Sequence, residues 1–441
     1  MVQITSLSAD WVIHNIPFDV WRHIFGIFFQ QSSNDTRKSV LLSHVCSTWR
    51  SIVTNAPELW TTVNLTIKTS DEQSQASLFS LVLRNSGNMP LRMDLRGMMH
   101  ETTTLTYPQH VWDFLEETRR AKELSLDFGV INALLATESA AYGTVKTELQ
   151  PCALLENLTL LNTAYKEPNA IPLLERMWMP APSLISFAMY GAGVSSTCMK
   201  SFQKANFPFH QLSALKIGTA IQVEALLDTL SLTPLLQAAS FHGVAWEDDR
   251  DDDDRWVYDE GGIVLPALRT LTLQGYGSPR LGCLLSPPLT RLLAFITTPS
   301  LTTLDLYADR GWSPESFETF IRKSSPPIED LGLDICDFSQ DDKISCLKML
   351  PSLKSLDLRP RKDTGRSDLS RLGKQFSMAM RDWDSLTESF SVCPILEKLT
   401  IDHDAVVDSA QTAFESMVQE RKRRSPEGKY FELVIADVHH S

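Results

Sequence analysis

Short segments in which apolar and polar residues alternate recur along most of the chain, which favours many short β-strands with one buried face. The clearest copies, PALRTLTL (266–273), PSLTTLDL (299–306) and PSLKSLDL (351–358), share the spacing Pro-x-Leu-x-x-Leu-x-Leu. Aligned on the sixth position, thirteen such segments follow one another 24 to 34 residues apart, except for one interval of 43. These thirteen sixth positions, called the anchors below, are Val63, Met93, Leu124, Leu158, Phe187, Leu215, Ala239, Leu271, Leu304, Leu331, Leu356, Leu399 and Leu433.

The interval between successive anchors leaves room for one helix. The stretch WSPESFETFIRKS predicts a helix most clearly, with Ser313 as N-cap and Pro314 at the first helical position. Phe317, Phe320 and Ile321 would then face inward. Regular alternation of strand and helix indicates either a repeat array or a compact doubly wound α/β domain. A doubly wound domain would have longer, more continuously apolar strands.

The first sixty residues carry a helical pattern instead. From Pro17 onward, one helix presents two neighbouring apolar stripes, and a second helix predicted over 40–54 is also apolar on two sides. The two stripes of the first helix are Val20, Ile24 and Ile27, and Trp21, Phe25 and Phe28. About fifty residues cannot bury this much apolar surface among themselves. The surplus must pack on the rest of the chain or on a partner protein.

The residues of this region resemble an F-box in their order. Ile16-Pro17 and Asp19 stand where that family has Leu-Pro and Glu, VCSTWR (45–50) matches its central helix, and PELW (57–60) matches its closing turn. The polar connector at 30–39 is longer than the family's usual link. The resemblance implies that the two helices dock on the Skp adaptor, which joins them to a cullin-based ubiquitin ligase. The residues expected on the adaptor surface are Pro17, Ile24, Phe28, Leu41, Val45 and Trp49. The closing turn with Pro57, Leu59 and Trp60 is expected to hold the helices onto the first strand.

The repeats resemble the irregular leucine-rich arrays that follow F-boxes in many fungal receptors. The expected fold is therefore of the α/β class, a small all-α F-box module followed by a leucine-rich-repeat solenoid with parallel strands on its concave face and helices on its convex face. The predicted division is an N-terminal tail (1–11), the F-box module (12–60) and the solenoid (61–441). The function implied is that of a substrate-recognition subunit, with an unidentified protein as the target for ubiquitination.

With the anchors inward, the residues between and beside them should face outward from the strands. The residues expected to contact a protein target are Tyr190, His242, Tyr307, Asp334, Arg359 and Asp402. Five aspartates at outward positions fall in the last third of the chain, which favours a basic partner, although solvent-facing strand positions must be polar in any case; they are Asp305, Asp330, Asp334, Asp357 and Asp402. Loop insertions are predicted near 246–262 and 359–375, either beside a binding surface or merely solvated. The first holds the acidic run WEDDRDDDDRW, for which a solvated loop, a basic partner and a metal ion are the alternatives.

Composition narrows the class of protein. A formal net charge of −13 in 441 residues argues against a general nucleic-acid-binding protein. The seven cysteines include no Cys-x-x-Cys pair, which is typical of reduced thiols in the cytoplasm or nucleus. We expect no secretory signal, because the N-terminal residues lack a basic region followed by an apolar one, and no membrane partner, because the apolar runs are short.

No motif in the sequence predicts catalysis. There is no nucleophile elbow, no phosphate-cradling glycine loop and no zinc-binding His-Glu-x-x-His, so we expect neither enzyme activity nor a cofactor or metal. Asp402, His403 and Asp404 adjoin a predicted strand, but successive strand side chains point in opposite directions. Two alternatives stay open. The N-terminal helices could serve only as the cap of a non-catalytic scaffold, or an α/β domain without a known motif could hide an enzyme.

Overall fold

The computed structural model of the chain describes residues 16–30, 37–67, 72–97, 105, 108–142, 149–161, 171–191, 196–246, 262–275, 287–309, 311–335, 337–359, 371–425 and 430–436. These residues form a mixed α/β structure in two compact units. The first unit comprises 1–185 and 201–208, and the second comprises 186–200 and 209–441. The units do not separate at residue 60, because the helices before it and the strands that follow belong to the same unit.

The first unit contains an N-terminal helical module and four parallel strands that pair in chain order. The module consists of α1 (Phe18–Gln30), α2 (Arg37–Ser43), α3 (Ser47–Thr54) and a 3₁₀ turn (Pro57–Trp60). The elements that follow are β1 (Thr62–Ile67), α4 (Glu72–Ser86), β2 (Leu91–Gly97), α5 (Pro108–Glu117), β3 (Ala121–Asp127), α6 (Phe128–Tyr142), β4 (Asn157–Leu161) and α7 (Ile171–Trp178). Helix α8 (Ser196–Lys204) contributes residues to both units.

The second unit contains nine parallel strands, which also pair in chain order. These strands are β5 (Ser186–Tyr190), β6 (Ala214–Gly218), β8 (Ala238–Ala245), β10 (Thr270–Gly275), β12 (Thr303–Asp309), β13 (Asp330–Ile335), β14 (Ser355–Asp357), β17 (Lys398–Ile401) and β18 (Glu432–Ile435). The short strand β7 (Ile221–Gln222) pairs with β8, and β9 (Ile263–Val264) pairs with β11 (Ile296–Thr297). The helices are α9 (Val223–Ser231), α10 (Thr290–Leu293), α11 (Pro314–Ser324), α12 (Gln340–Lys348), α13 (Lys374–Arg381) and α14 (Gln411–Arg424). None of the helices in the described ranges is long and apolar enough to cross a membrane.

The predicted anchors set the register of the strands in both units. In the first unit Val63 pairs with Met93, Met93 with Leu124, and Leu124 with Leu158. In the second, each anchor pairs with the next one along the chain, from Phe187 to Leu433. Twelve of the thirteen are at most 2% exposed, and Leu433 on the last described strand is half-buried. The predictions that each anchor lies in a strand and faces the core are confirmed for these twelve.

Helix α11 forms where the sequence predicts it. It runs from Pro314 with Ser313 as its N-cap, and Phe317 and Phe320 are fully buried. The cap differs in one respect, because the Ser313 hydroxyl donates to the Ser316 hydroxyl (2.9 Å) instead of accepting from a backbone N–H. Burial of the two phenylalanines on one side fixes the helix against the strands of its unit.

The 43-residue interval between the anchors Leu356 and Leu399 contains more than a loop. After α13, an antiparallel hairpin pairs β15 (Trp383–Asp384) with β16 (Ser389–Phe390), which the sequence pattern did not predict. Arg421 of α14 is only 2% exposed and stabilises this region through several contacts. Its guanidinium lies 4.3 Å from the Phe390 ring centre and donates to the carbonyl oxygens of Met380 (2.8 Å), Val392 (2.6 Å) and Cys393 (3.1 Å). Burial lowers the pKa of Arg421 to about 10.

Candidate protein-docking surfaces

The N-terminal module has a small aromatic core. The ring centres of Trp21 and Phe25 on α1 lie 5.3 and 4.9 Å from that of Trp49 on α3. Trp21 is 9% exposed and Phe25 is 2% exposed. Of the two predicted stripes of α1, the one with Trp21 and Phe25 therefore faces inward, whereas Phe28 of that stripe remains exposed.

The helix predicted over 40–54 is in fact two helices. The break lies at His44 and Val45, and Cys46 then adopts an extended conformation (φ −157°, ψ 172°) as the N-cap of α3. Its Sγ accepts from the backbone N–H of Trp49 (3.4 Å), while Arg50 Nε donates to the carbonyl of Ser43 at the end of α2 (2.9 Å). These contacts satisfy backbone groups on both sides of the break. The prediction of one continuous helix was wrong because a thiol cap is not a recognised start signal.

Among the described residues of the module, seven large apolar side chains are 39–67% exposed, and we call them the apolar surface set. They are Phe18, Val20, Ile24, Ile27, Phe28, Leu41 and Val45. Val20, Ile24 and Ile27 form the outward stripe of α1 at helical spacing. Lys38 Nζ of α2 lies 5.8 Å from the Phe28 ring centre, and Leu41 follows Lys38 by about one turn. Phe28 of α1 therefore lies beside α2, about one turn from Leu41.

Most of the residues predicted to contact an adaptor belong to this set. Ile24, Phe28, Leu41 and Val45 are members, and Pro17 is exposed immediately before α1. Trp49 is different, since it is half-buried in the aromatic core. The sequence assigned Trp49 to the outer surface as part of one helix over 40–54, which the structure divides into α2 and α3. Phe18, Val20 and Ile27 were missed, although the first-helix stripe already contained two of them.

The closing turn lies on the inner side of the module. Leu59 is 6% exposed and Trp60 is 2% exposed. The Trp60 indole donates to the Val53 carbonyl (2.8 Å), and the Ser39 hydroxyl donates to that of Leu59 (2.5 Å). Strand β1 begins two residues later. The turn thus joins the helices to the first strand, as the sequence predicts.

The second candidate surface is polar. It lies on the sheet of the second unit, on the side opposite the buried anchors. Three neighbouring strands place six polar residues in two rows. In the first row Ser240 pairs with Thr272 and Thr272 with Asp305; in the second, His242 pairs with Gln274 and Gln274 with Tyr307. We call these six residues the polar grid. The polar grid occupies the third and fifth residues of each of these three strands.

Hydrogen bonds fix the side chains of the polar grid. Ser240 Oγ lies 2.9 Å from His242 Nε2, and His242 Nδ1 lies 2.8 Å from Gln274 Oε1. The hydroxyls of Thr272 and Tyr307 donate to the two carboxylate oxygens of Asp305 at 3.2 and 2.6 Å. Since Gln274 Oε1 can only accept, these bonds place the imidazole proton on Nδ1 and leave Nε2 to accept from Ser240.

A glycine beside the grid gives its side chains their room. Gly332 of β13 pairs with Asp305 and faces the same side of the sheet. A Cβ at this position would collide with the Asp305 carboxylate and the Tyr307 hydroxyl. The absence of a side chain at Gly332 therefore lets Tyr307 and Asp305 meet above it.

The structure brings only some of the predicted target-contact residues together. His242 and Tyr307 lie in the same row of the polar grid. Arg359 is ionically paired with Asp357, with Nη2 and Nε at 2.7 and 2.9 Å from its carboxylate oxygens, and this hydrogen bonding raises the pKa of Arg359. Tyr190 lies half-buried on β5, where Lys216 Nζ is 5.4 Å from its ring centre.

Two of these residues are less accessible than expected. Tyr307 is 6% exposed and Asp402 is 7% exposed, although the strand pattern predicts an outward position for both. Alternation along a strand decides which side of the sheet a residue occupies, but neighbouring side chains decide its exposure. Tyr307 thus contributes its hydrogen bond to Asp305 more than it contributes exposed surface. Asp334 is half-buried on β13.

Other predictions fall on loops or on a hypothetical metal site. The acidic run and residues 360–370 of the second predicted insertion lie outside the described residues. His403 and Asp404 are exposed next to the buried Asp402. Within the described ranges, no three histidine, cysteine, aspartate or glutamate side chains lie together in a way that could hold a metal ion.

Comparisons with known proteins add no relative to this picture. The chain matches no protein-family model, and no curated protein matches its sequence.

Proposed function

We propose that the chain is the substrate-recognition subunit of a Skp–cullin–F-box ubiquitin ligase. In this proposal the N-terminal module docks on the Skp adaptor, and the sheet of the second unit receives a protein target for ubiquitination. The chain itself is non-catalytic, since ubiquitin transfer belongs to other subunits and this subunit contributes positioning. Such a receptor works in the cytoplasm or the nucleus.

The observation that carries the proposal is the apolar surface set. Seven large apolar side chains stand exposed within the short module while its own aromatic core is closed. Scattered single apolar residues need no explanation on a protein surface, but neighbouring ones mark interaction sites. An F-box module needs such a surface for its adaptor.

The regular register of the strands supports the second half of the proposal. Anchors that pair level by level, one strand and one connection per interval, are what a leucine-rich-repeat solenoid requires. Apart from the interval of 43, the intervals of 24 to 34 residues lie within or a few residues above the 20–29 typical of such repeats. The polar grid then belongs to the sheet face on which a target would rest.

A second candidate function is favoured by the buried side of the module. Leu59 and Trp60 are enclosed in the first unit, and the 3₁₀ turn leads directly into β1. A helical cap on a non-catalytic scaffold would show the same contacts. A cap, however, would be expected to expose a polar outer side, whereas this module exposes Ile24, Leu41 and Val45.

Binding of the full chain to purified Skp adaptor tests the proposal by isothermal titration calorimetry. Removal of residues 1–60 is a poor test, because it would also strip Leu59 and Trp60 from the core of the first unit. Ile24→Glu is preferable, since Ile24 is 42% exposed and its replacement leaves the core intact. Leu232→Glu, at 41% exposure in the second unit, is the matched control.

The proposal requires that the wild-type chain and Leu232→Glu bind the adaptor and that Ile24→Glu binds much more weakly. If the wild-type chain does not bind, the receptor function fails and the scaffold with a helical cap becomes the better explanation. If Ile24→Glu binds as well as wild type, the docking site is not the apolar surface set.

A further inference from the structure

The polar grid contains a carboxylate whose charge is not balanced by any cation among the described residues. Asp305 is half-buried, and its two oxygens accept from the neutral hydroxyls of Thr272 and Tyr307. Within the described part of the chain it takes part in no salt bridge. The nearby cation Arg359 is already engaged in a two-point contact with Asp357.

The charge of Asp305 acts on its surroundings. The pKa of Asp330, on the adjacent strand β13, is raised by burial and then by the negative charges of Glu329 and Asp305, while Lys354 and Lys398 oppose the shift. A carboxyl group whose pKa is raised by neighbouring negative charges lies where a further positive charge is favourable. A cation bound at Asp305 would relieve this repulsion.

The side chain of Asp305 is also held in one orientation. Two hydroxyls on two different sides fix the plane of its carboxylate, and Gly332 leaves the space in which Tyr307 reaches it. A carboxylate has about four lone-pair positions, so two hydrogen bonds leave room for further donors. A pre-oriented acceptor loses little conformational entropy when it binds.

The other half of the grid suggests a different chemistry at first. Ser240, His242 and Gln274 have the distances of a nucleophile, a base and an orienting group. Acyl transfer also needs donors for the developing oxyanion. The neighbouring Thr272 hydroxyl donates to Asp305, and the Lys216 ammonium group lies over the Tyr190 ring. The arrangement therefore favours recognition of a ligand over reaction with it.

We propose that the polar grid binds a basic side chain, Lys or Arg, of an extended segment of the target protein, with Asp305 as its counter-ion. This inference rests on the proposed function, in which the sheet of the second unit receives the target. Ser240, His242 and Gln274 would contact the residues of the segment beside the basic one. Tyr307 is a positioning residue, because its hydroxyl donates a hydrogen bond that orients the Asp305 carboxylate.

Selection from peptide libraries tests this inference on the full chain. The probes are acetylated nonapeptides whose central residue is fixed as Arg, Lys, Gln or Glu and whose other positions are random but uncharged. The immobilised protein is incubated with all four libraries, and the captured peptides are quantified by mass spectrometry. A charge-assisted hydrogen bond predicts that the wild type enriches the Arg and Lys libraries about tenfold over the Gln library.

Three variants separate charge from structure. Asp305→Asn keeps the shape and an acceptor for Tyr307, so it should fold as wild type and lose the preference for Arg and Lys. Asp305→Lys should shift enrichment toward the Glu library, which loss of structure alone would not produce. Asp408→Asn changes an exposed aspartate of the same unit and should leave the preference intact. Thermal melting of each variant accompanies the selection.

Adaptor binding, measured on the same preparations, separates the two proposals. A wild-type chain that binds the adaptor but enriches Arg and Lys no more than Gln overturns this inference and leaves the proposed function standing. A preference that survives in Asp305→Asn also overturns it, because the charge then lies elsewhere. A preference for Arg and Lys that depends on Asp305, without adaptor binding, supports the basic-segment site and overturns the receptor function.

Discussion

Alanine substitution of two exposed residues of the module gives a quantitative test of adaptor docking. Leu41 and Val45 are 67% and 57% exposed, which is more than any other member of the apolar surface set. Burial of a methylene group is worth about 0.8 kcal/mol, and docking can bury only the fraction that is now exposed. Leu41→Ala removes three carbon groups and should cost about 1.6 kcal/mol of binding, and Val45→Ala removes two and should cost about 0.9 kcal/mol.

The double variant Leu41→Ala/Val45→Ala should therefore bind the Skp adaptor about 2.5 kcal/mol more weakly, which is roughly a sixtyfold rise in Kd. Isothermal titration calorimetry measures this change directly. The free energy of unfolding should change by less than about 0.5 kcal/mol, because both side chains already contact solvent in the free protein.

Leu235→Ala is the matched control, since Leu235 has the same 57% exposure as Val45 but lies in the second unit. It should bind the adaptor like wild type. An unchanged Kd for the double variant would refute the assignment of the docking site. An equal loss for Leu235→Ala would show that the affinity comes from non-specific apolar contact.

Three further predictions concern stability and reactivity. Arg421→Met leaves the buried carbonyl oxygens of Met380 and Val392 without a donor at roughly 1–3 kcal/mol each, whereas the Cys393 carbonyl still accepts from the Leu396 N–H (3.2 Å). Removing the buried charge returns about 3 kcal/mol, so urea unfolding should show a net loss of about 1 kcal/mol, and an unchanged midpoint would contradict it. Trp49→Ala should destabilise the module by about 3 kcal/mol through loss of aromatic packing, visible as earlier thermal unfolding, whereas a wild-type melt would place Trp49 outside the core. Burial raises the pKa of Cys152 to about 11 and of Cys393 to about 12, so both thiols stay protonated at pH 8. Iodoacetamide should therefore modify the half-buried Cys46 before either of these two thiols. The contribution of the Cys152 and Cys393 thiols to stability should fall as pH rises from 9 toward 11, because these thiols ionise at lower pH in the unfolded chain. Peptide mapping that finds Cys152 as reactive as Cys46 would contradict the assignment of Cys152 as a protonated, buried thiol.

The strand register could be predicted from the sequence because it depends on a local pattern. Eight of the thirteen anchors have a polar residue on each side, and a shift of one position would turn every buried side chain outward. The same pattern repeats at each level, so the anchors of neighbouring strands are brought to the same height. Even Ala239, a small residue in a weak copy of the pattern, pairs with Leu215 and Leu271 as the alignment requires.

The orientation of the module could not be predicted in the same way. Two adjacent apolar stripes on α1 are equivalent in the sequence, and only contacts with α3 decide that Trp21 and Phe25 face inward. The break at Val45 depends on a thiol cap and on Arg50, which lies seven residues after the carbonyl it binds. The hairpin at Trp383–Phe390 was missed for a related reason, because it is stabilised by Arg421 from a distant helix.

The sequence predicted part of the polar grid as outward positions, but not its interactions. Alternation along the strands places His242 and Tyr307 on the outward side, but it cannot reveal that Asp305 is bound by Thr272 on one neighbouring strand. Nor does it show that Gly332 makes room for the contact. Such contacts depend on the lateral pairing of residues about thirty positions apart in the chain.

The two candidate surfaces differ in chemistry in a way that suits their proposed partners. An adaptor is one constant partner, and exposed apolar side chains such as Leu41 and Val45 supply affinity without demanding a charge match. A target must be distinguished from many other proteins, and buried or half-buried polar groups discriminate because an unmatched partner leaves them unpaired. Asp305 is placed for this second task, since its orientation is fixed while its charge remains uncompensated within the described residues. If the receptor function is correct, substitutions in the apolar surface set should change how tightly the adaptor is held, and substitutions in the polar grid should change which target is chosen.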